Sequence, residues 1–380
     1  MSSFRHPRRT AVGIALTTIA ALALAGCAGS ADASSDGSDG GVDASTATAL
    51  SDFGTMEDLE TAAKAEGQLN VIALPRDWAN YGEILDLFAE RYPEITINEQ
   101  SPDISSAEEI QAAETNEGLD TAPDVFDLGL TVALQNTDSF APYKVETWDD
   151  IPDALKESTG LFVGDYGGYM SIGFDSTRFD APESLDDLLG ADFRGAVALN
   201  GDPTQAGAAF AAVGLATVQS DGTLDDFQPG IDFFSKLNDA GNMLKLDVTS
   251  ATVASGETPV VFDWDYLNAA HKTDVPSWET VVLPGTGYAG YYNQAINVNA
   301  PNPAAARLWQ EFLYSDDVQN LWLKGGARPA RMEAMTAAGT IDEELAAALP
   351  AVPDETVVPT EDQSAAAGTL LGEKWAAAVQ

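Results

Sequence analysis

Groups that could attack a substrate or exchange protons at neutral pH are scarce in this 380-residue chain, which has two histidines, His6 and His271, and one cysteine, Cys27. Cys/His catalysis, zinc sites of the Cys/His type and disulfides within the chain therefore lack their partners. His271 follows an ordinary helical stretch with no Gly-x-Ser-x-Gly elbow nearby, so the usual hydrolase triad is missing too. What the chain offers instead is aromatic rings set beside carboxylates and amides in four short segments: Asp77-Trp78-Ala79-Asn80-Tyr81, Asn200 to Gly207, Phe262-Asp263-Trp264-Asp265-Tyr266 and Tyr288 to Gln294. An aromatic face attracts an ammonium through its quadrupole, by about 0.5 to 2 kcal/mol depending on desolvation. A carboxylate beside the ring neutralises the same group. Such segments suit the binding of a small cation or zwitterion, without turnover.

The remaining composition narrows the class further. Asp plus Glu number 60 against 18 Lys plus Arg, a formal charge of −42, so a phosphate backbone is repelled and nucleic acid is excluded as a partner. With 45% hydrophobic and 21% charged residues, the chain can bury a large core. Arg5, His6, Arg8 and Arg9 precede an apolar run from Ala11 to Ala25, the length of a signal-peptide core and short of a membrane span. The run closes on Leu24-Ala25-Gly26-Cys27, which resembles the lipobox of bacterial lipoproteins and implies a lipid anchor on Cys27, the only thiol. Residues 1–26 are thus expected to be the signal. Residues 27–52, rich in Ser, Asp, Gly, Ala and Thr, are expected to form a solvated acidic tether.

The body reads as alternating helices and strands. Met56 to Ala65 has a helical pattern stopped by Gly67. Leu69 to Leu74 reads as a buried strand, Gly82 to Tyr92 as an amphipathic helix, Ile95 to Ile97 as the next strand and Asp124 to Leu128 as a third, so a largely parallel sheet is expected. Tyr169 to Phe174 reads as a strand leaving a first lobe. Helix Leu185 to Leu189, strand Gly195 to Leu199, helix Thr204 to Ala216 and strand Pro259 to Phe262 then build a second. Ala295 to Val298 crosses back before helix Pro303 to Tyr314. The acidic, Ala-rich tail is expected to place helices Asp342 to Leu349 and Ala365 to Val379 on the second lobe. The predicted architecture is α/β with two lobes, 53–172 plus 288–326 and 173–287 plus 327–380, joined at a hinge. Gly167 and Gly168 lie near the first crossing.

A lipobox, a tether and two α/β lobes joined by crossings resemble the substrate-binding lipoproteins of ABC importers. Within these the chain looks closest to the spermidine/putrescine-binding branch, with traits of the ferric-ion and sugar-phosphate or phosphonate binders such as Ala62-Ala63-Lys64-Ala65-Glu66-Gly67. The resemblance implies a periplasmic-binding-protein-like fold of type II, no enzymatic activity and no cofactor. It further implies a monomer on the outer face of the cytoplasmic membrane, working with an importer permease.

It also implies site roles. Trp78 and Tyr81 match the two aromatic walls of a Trp-x-Glu-Tyr segment, with Asn80 in place of the acid. Asp202 and Gln205 fall where polyamine binders carry two acids, one of them now an amide; Asp202 with Pro203 also suits a helix cap. Trp264 matches a Trp of the polyamine binders, flanked by Asp263 and Asp265 as ammonium partners, although Asp265 also suits a helix cap. Near the return crossing, where those binders usually have Trp and Asp, the chain departs from the pattern, with no acid between Glu279 and Glu311. Tyr292 and Asn293 are the candidate contacts there. The Tyr291-Tyr292 pair invites a ferric-iron reading, yet neighbours on a strand point to opposite faces. Arg328 and Arg331 would favour an anionic group if they faced the cleft, and otherwise pair with surface acids. The expected ligand is small, cationic or zwitterionic and polyamine-like, with ferric ion, aminophosphonate or sugar phosphate as alternatives in the same fold. A surface interaction protein is the reading from a different class.

Overall fold

The computed structural model describes residues 42–350, 353 and 355–379. The expected export signal, Cys27 and the first part of the tether lie outside the described residues. No helix among the described residues is long and apolar enough to cross a membrane.

The stretch 43–52, expected to belong to the tether, is packed on the body. Arg307, fully buried on helix Pro303–Leu313, donates from Nε to the Ala47 carbonyl at 2.8 Å and from Nη2 to that of Ser45 at 3.1 Å. Helix Met56–Glu66 starts where the Thr55 hydroxyl accepts from the Asp58 amide at 3.2 Å, and it ends at Gly67, whose left-handed φ of 71° suits a residue without a side chain.

Strands β1 (Gln68–Ile72) and β2 (Thr96–Gln100) pair in parallel. Their crossover is helix Tyr81–Arg91, which buries Ile84, Leu85 and Phe88 at the spacing of one helical face. Beyond this unit the expected largely parallel sheet gives way to a mixed one. Strands β3 (Val125–Gly129) and β4 (Phe140–Ala141) run antiparallel to a long later strand, and β5 (Phe162–Asp175) does the same. The other strands are β6 (Val197–Leu199), β7 (Met243–Leu244), β8 (Val260–Trp264), β9 (Trp278–Val281), β10 (Thr286–Asn297), β11 (Arg328–Pro329) and β12 (Glu355–Val357).

β5 explains the mixture. Its first half, Phe162 to Tyr169, pairs with β10 and β11, and its second half, Met170 to Asp175, pairs with β8 and β9. One strand thus belongs to two regions of sheet, and β10 crosses it in the opposite direction, which makes the central pairs antiparallel. Gly167 and Gly168 sit within this ladder rather than in a turn. A β-carbon on either would lie 2.1 Å from the Gly290 carbonyl or from Asp265 Oδ1, so close approach accounts for both glycines.

Candidate functional site

Helix Gly207–Gln219 begins at Ala206, not at Asp202 as the capping pattern suggests. Asp202 instead closes its own turn. Its carboxylate accepts from the Thr204 amide and hydroxyl at 2.8 and 2.6 Å, while its carbonyl accepts from the amides of Gln205 and Ala206. Pro203 therefore stands four residues before the first helical turn. Opposite, the short helix Leu130–Gln135 starts directly after β3. The two starts meet backbone to backbone, for a β-carbon on Gly129 would lie 3.4 Å from Gly207 Cα.

Beside this junction lies a cavity of about 540 Å³. Its wall is built from segments within 129–135, 154–158, 203–211 and 288–293, with Phe162 and Trp264, and it is closed on one side by residues 358–360 with Gly368 and Gly372. Aromatic rings dominate: Phe162, Phe210, Trp264, Tyr288, Tyr291 and Tyr292. The outer edge of the Trp264 indole abuts Gly290, where an added β-carbon would come within 2.4 Å of Cη2, so a bare α-carbon is required there. Both Tyr291 and Tyr292 contribute to the wall, but their phenols have different surroundings, Arg328 and Asp265 for Tyr291 and Asp127 and Asp263 for Tyr292. The register of β10 with β5 shifts between Tyr291 and Asn293. Burial pushes the Tyr291 phenol up to about 12 and that of Tyr292 higher still, which keeps both protonated.

Four of the expected residues stand on this wall: Gln205, Trp264, Tyr292 and Asn293. The Asn293 amide donates to the Leu128 carbonyl at 3.3 Å and that of Tyr291 at 3.1 Å. The other six do not line it. Trp78 is half-buried and packs edge-on against Tyr292 at 5.7 Å, backing a wall residue. Asn80 adopts a left-handed φ of 67° and donates to the Leu321 carbonyl at 3.0 Å, a packing role that replaces the expected ligand contact. Tyr81 is fully buried and donates to Asp127 at 3.0 Å. Asp202 is exposed, its carboxylate spent on the turn.

Asp263 and Asp265 are buried away from the cavity, which corrects their expected role as ammonium partners. Asp263 accepts from Asn200 Nδ2 and from the Trp264 amide, both at 2.8 Å; burial pushes its carboxyl up to about 7 against those donors. Asp265 faces Arg328, with Nη1 to Oδ2 at 2.7 Å, and the guanidinium also covers the Tyr169 ring at 4.6 Å. Burial raises the Asp265 carboxyl, an effect opposed by Arg328 and by the amides of Tyr169 and Tyr266. Arg331 is likewise buried, paired with Asp150 and Asp316 at 2.7 Å each. Neither arginine lines the cavity.

The wall carries two charged side chains, Lys156 and Glu157. The Lys156 ammonium turns away to the carbonyls of Trp148 and Ile151 at 2.9 and 2.8 Å. Partial burial pushes the Glu157 carboxyl up, but donors from Thr159, Leu161 and Ser158 outweigh it and hold the group below its usual value. Sequence reasoning missed this 154–158 loop, the helix start at 129–131 and the C-terminal residues on the wall. Only the helix start was open to inference, since it lies at the carboxyl end of β3, where open α/β sheets place ligands.

A second buried cluster lies under the wall. Tyr166 stacks on Tyr292 at 5.7 Å and 8° and donates to Asp127 at 3.0 Å. Asp127 and Asp165 are both buried and share Tyr81 between them, and Gln294 donates to Asp165 at 2.9 Å. Burial pushes Asp127 up to about 7 and Asp165 well up, the latter helped by repulsion from Asp127.

Comparison with known proteins agrees with this architecture. The family profile described as bacterial extracellular solute-binding protein matches residues 122–353. An ABC transporter substrate-binding protein from Bradyrhizobium japonicum USDA 110 is 17% identical with a TM-score of 0.64, covering 83% of this chain and 100% of its own. The periplasmic binding protein AfuA from Actinobacillus pleuropneumoniae, solved with fructose-6-phosphate, is 16% identical with a TM-score of 0.64 over 82% of this chain and 98% of its own. The spermidine/putrescine substrate-binding protein PotD from Streptococcus pneumoniae is 15% identical with a TM-score of 0.58 over 82% of this chain and 99% of its own. No curated protein matches the sequence. At these identities the structures establish the fold, which is that of periplasmic binding proteins, and the matched profile establishes the lineage: this chain belongs to the bacterial extracellular solute-binding proteins, exported partners of ABC importers rather than enzymes.

Proposed function

We propose that this receptor captures a small zwitterionic solute with a flat or apolar body in the cavity beside Trp264, and delivers it to its importer while anchored by a lipid on Cys27. The two lobes would be 53–172 plus 288–326 and 173–287 plus 327–380, extended at the start by the packed residues 43–52, and they would close over the solute. A ligand shifts such an equilibrium by its differential affinity for the closed and open forms.

The observation that carries this reading is the composition of the wall: six aromatic rings, amides from Gln135, Gln205 and Asn293, and Glu157 as the one carboxylate on it among the described residues. A polyamine needs several acids along its length, and Asp202, Asp263 and Asp265 are each engaged elsewhere. Ferric iron needs several hard anionic donors converging on one point. Among the described residues no group of three or more His, Cys, Asp or Glu side chains could hold a metal ion. A zwitterion asks for less. One carboxylate oxygen suffices for its amine, and among the described residues Glu157 Oε1 has only the Ser158 hydroxyl at 3.3 Å as a partner while Oε2 holds the turn. For its acid there is the start of helix Gly207–Gln219, where the dipole is positive.

Titration calorimetry against 2-aminoethylphosphonate, γ-aminobutyrate, putrescine, spermidine, fructose 6-phosphate and ferric citrate tests it. Binding of a zwitterion at least tenfold tighter than spermidine is expected. Tighter binding of spermidine or ferric citrate, or no binding of any amine, would overturn the ligand class.

A further inference from the structure

The family profile ends at residue 353, yet the cavity wall does not. Val358, Pro359 and Thr360 lie on it, followed by Gly368 and Gly372 from helix Glu361–Ala378. The two glycines are four residues apart, so they share one face of that helix. This C-terminal helix was expected on the second lobe alone. It packs there on helix Gln228–Asp239, away from the cavity lining, and also reaches helix Leu130–Gln135 on the wall. On one side Gly368 approaches helix Leu130–Gln135, where a β-carbon would meet Gln135 Nε2 at 3.5 Å and Thr131 Cγ2 at 3.7 Å. On the other, Trp375 packs edge-on against Phe234 at 5.6 Å, and Lys374 and Gln363 bond Gln228 and Asp225.

We infer that the C-terminal helix, which lies beyond the matched family profile, is a rim of the cavity that sets the size of solute admitted through the absent side chains of Gly368 and Gly372. The inference rests on the cavity being the solute site. Both positions are sterically open to a side chain: a β-carbon at Gly368 makes ordinary contacts, and one at Gly372 meets nothing within 4 Å. Both backbones also lack the left-handed conformation that would demand glycine, since neither shows positive φ. Glycine in a helix interior costs about 1 kcal/mol relative to alanine. Two of them on the cavity face carry that cost with no local geometry requiring it. The opening they leave is the remaining use.

The test uses the full chain with three variants, Gly368→Leu, Gly372→Leu and Trp375→Ala. Each leucine variant is expected to unfold at or above the wild-type temperature, since a glycine is removed from a helix. Each should weaken binding of 2-aminoethylphosphonate or γ-aminobutyrate at least tenfold, and Gly368→Ala should weaken it less. Trp375→Ala, which loosens the helix from Phe234, should speed amide hydrogen exchange by tenfold or more at 206–210 and 289–293 in the solute-free protein. Unchanged exchange in those wall segments, or leucine variants that bind a wild-type ligand with full affinity, would overturn the rim. If neither zwitterion binds the wild type but another of the six solutes does, the ligand class fails, and the rim stands only if the leucine variants weaken that solute at least tenfold.

Discussion

Arg328 sits where an anion-binding arginine was one expectation, yet its guanidinium is 7% exposed and committed to Asp265, the Pro350 carbonyl and the Tyr169 ring. Removing it strands a buried carboxylate, so Arg328→Ala is expected to cost about 3 to 5 kcal/mol in urea unfolding. A surface pair would lose less than about 1 kcal/mol. Trp264 differs because its ring is on the cavity wall. Trp264→Ala should lower solute affinity about ten- to a hundredfold by calorimetry, in line with about 1.4 kcal/mol per tenfold. Trp78→Phe, acting through Tyr292, should change it less. Asp127 predicts a pH effect. Its carboxyl is raised from 3.8 to about 7, so the folded chain holds a proton there that the unfolded chain releases at lower pH. Stability from this group is full below about pH 4 and is lost as pH rises through 7. The wild-type melting temperature should therefore fall more steeply between those limits than that of Asp127→Asn; parallel profiles would show that the buried carboxyl does not titrate there.

Elements were easier to infer than their roles. Helices Met56–Glu66 and Tyr81–Arg91 announce themselves through a Thr start, a Gly stop and an apolar face, and each lies within a residue of its expected bounds. The start of helix Gly207–Gln219 was misplaced because Asp202 makes a turn that mimics a cap in sequence, and only its hydrogen bonds tell the two apart. The register shift in β10 has no signature among Tyr291, Tyr292 and Asn293, and which of them would line a cavity was hidden. Acid residues beside tryptophan misled for a general reason: Asp263 and Asp265 look like ligands in sequence, but their partners, Asn200 and Arg328, are 63 residues away in either direction. The C-terminal helix offers a test at this scale. Thr360 accepts from the Gln363 amide at 3.3 Å, and its own amide donates to Gln363 Oε1 at 2.9 Å. Thr360→Ala should lower stability by about 1 kcal/mol, read as a shift in the urea midpoint.

At the scale of the whole molecule, −42 of formal charge acts on every fold this chain could adopt. Self-repulsion opposes compaction, and salt screens it over roughly 30 Å at about 0.01 M and roughly 8 Å at about 0.15 M. The melting temperature should rise by several degrees between those ionic strengths. A flat response would mean that the acids are locally compensated, as Arg76 is by Glu99 and Asp86. The class of the protein was legible from its missing histidines and thiols and from its two crossings, because those are global properties. The solute was not, because selectivity resides in a wall whose pieces are scattered from residue 129 to residue 372.

The grip of Arg307 on the carbonyls of Ser45 and Ala47 decides where a leash would pull. Under the proposed anchor, tension would end on a guanidinium sunk into helix Pro303–Leu313, an element absent from the cavity lining among the described residues. Were the proposed lipid on Cys27 to moor the receptor, it could swing and be tugged toward its permease without its grasp on the cargo being disturbed.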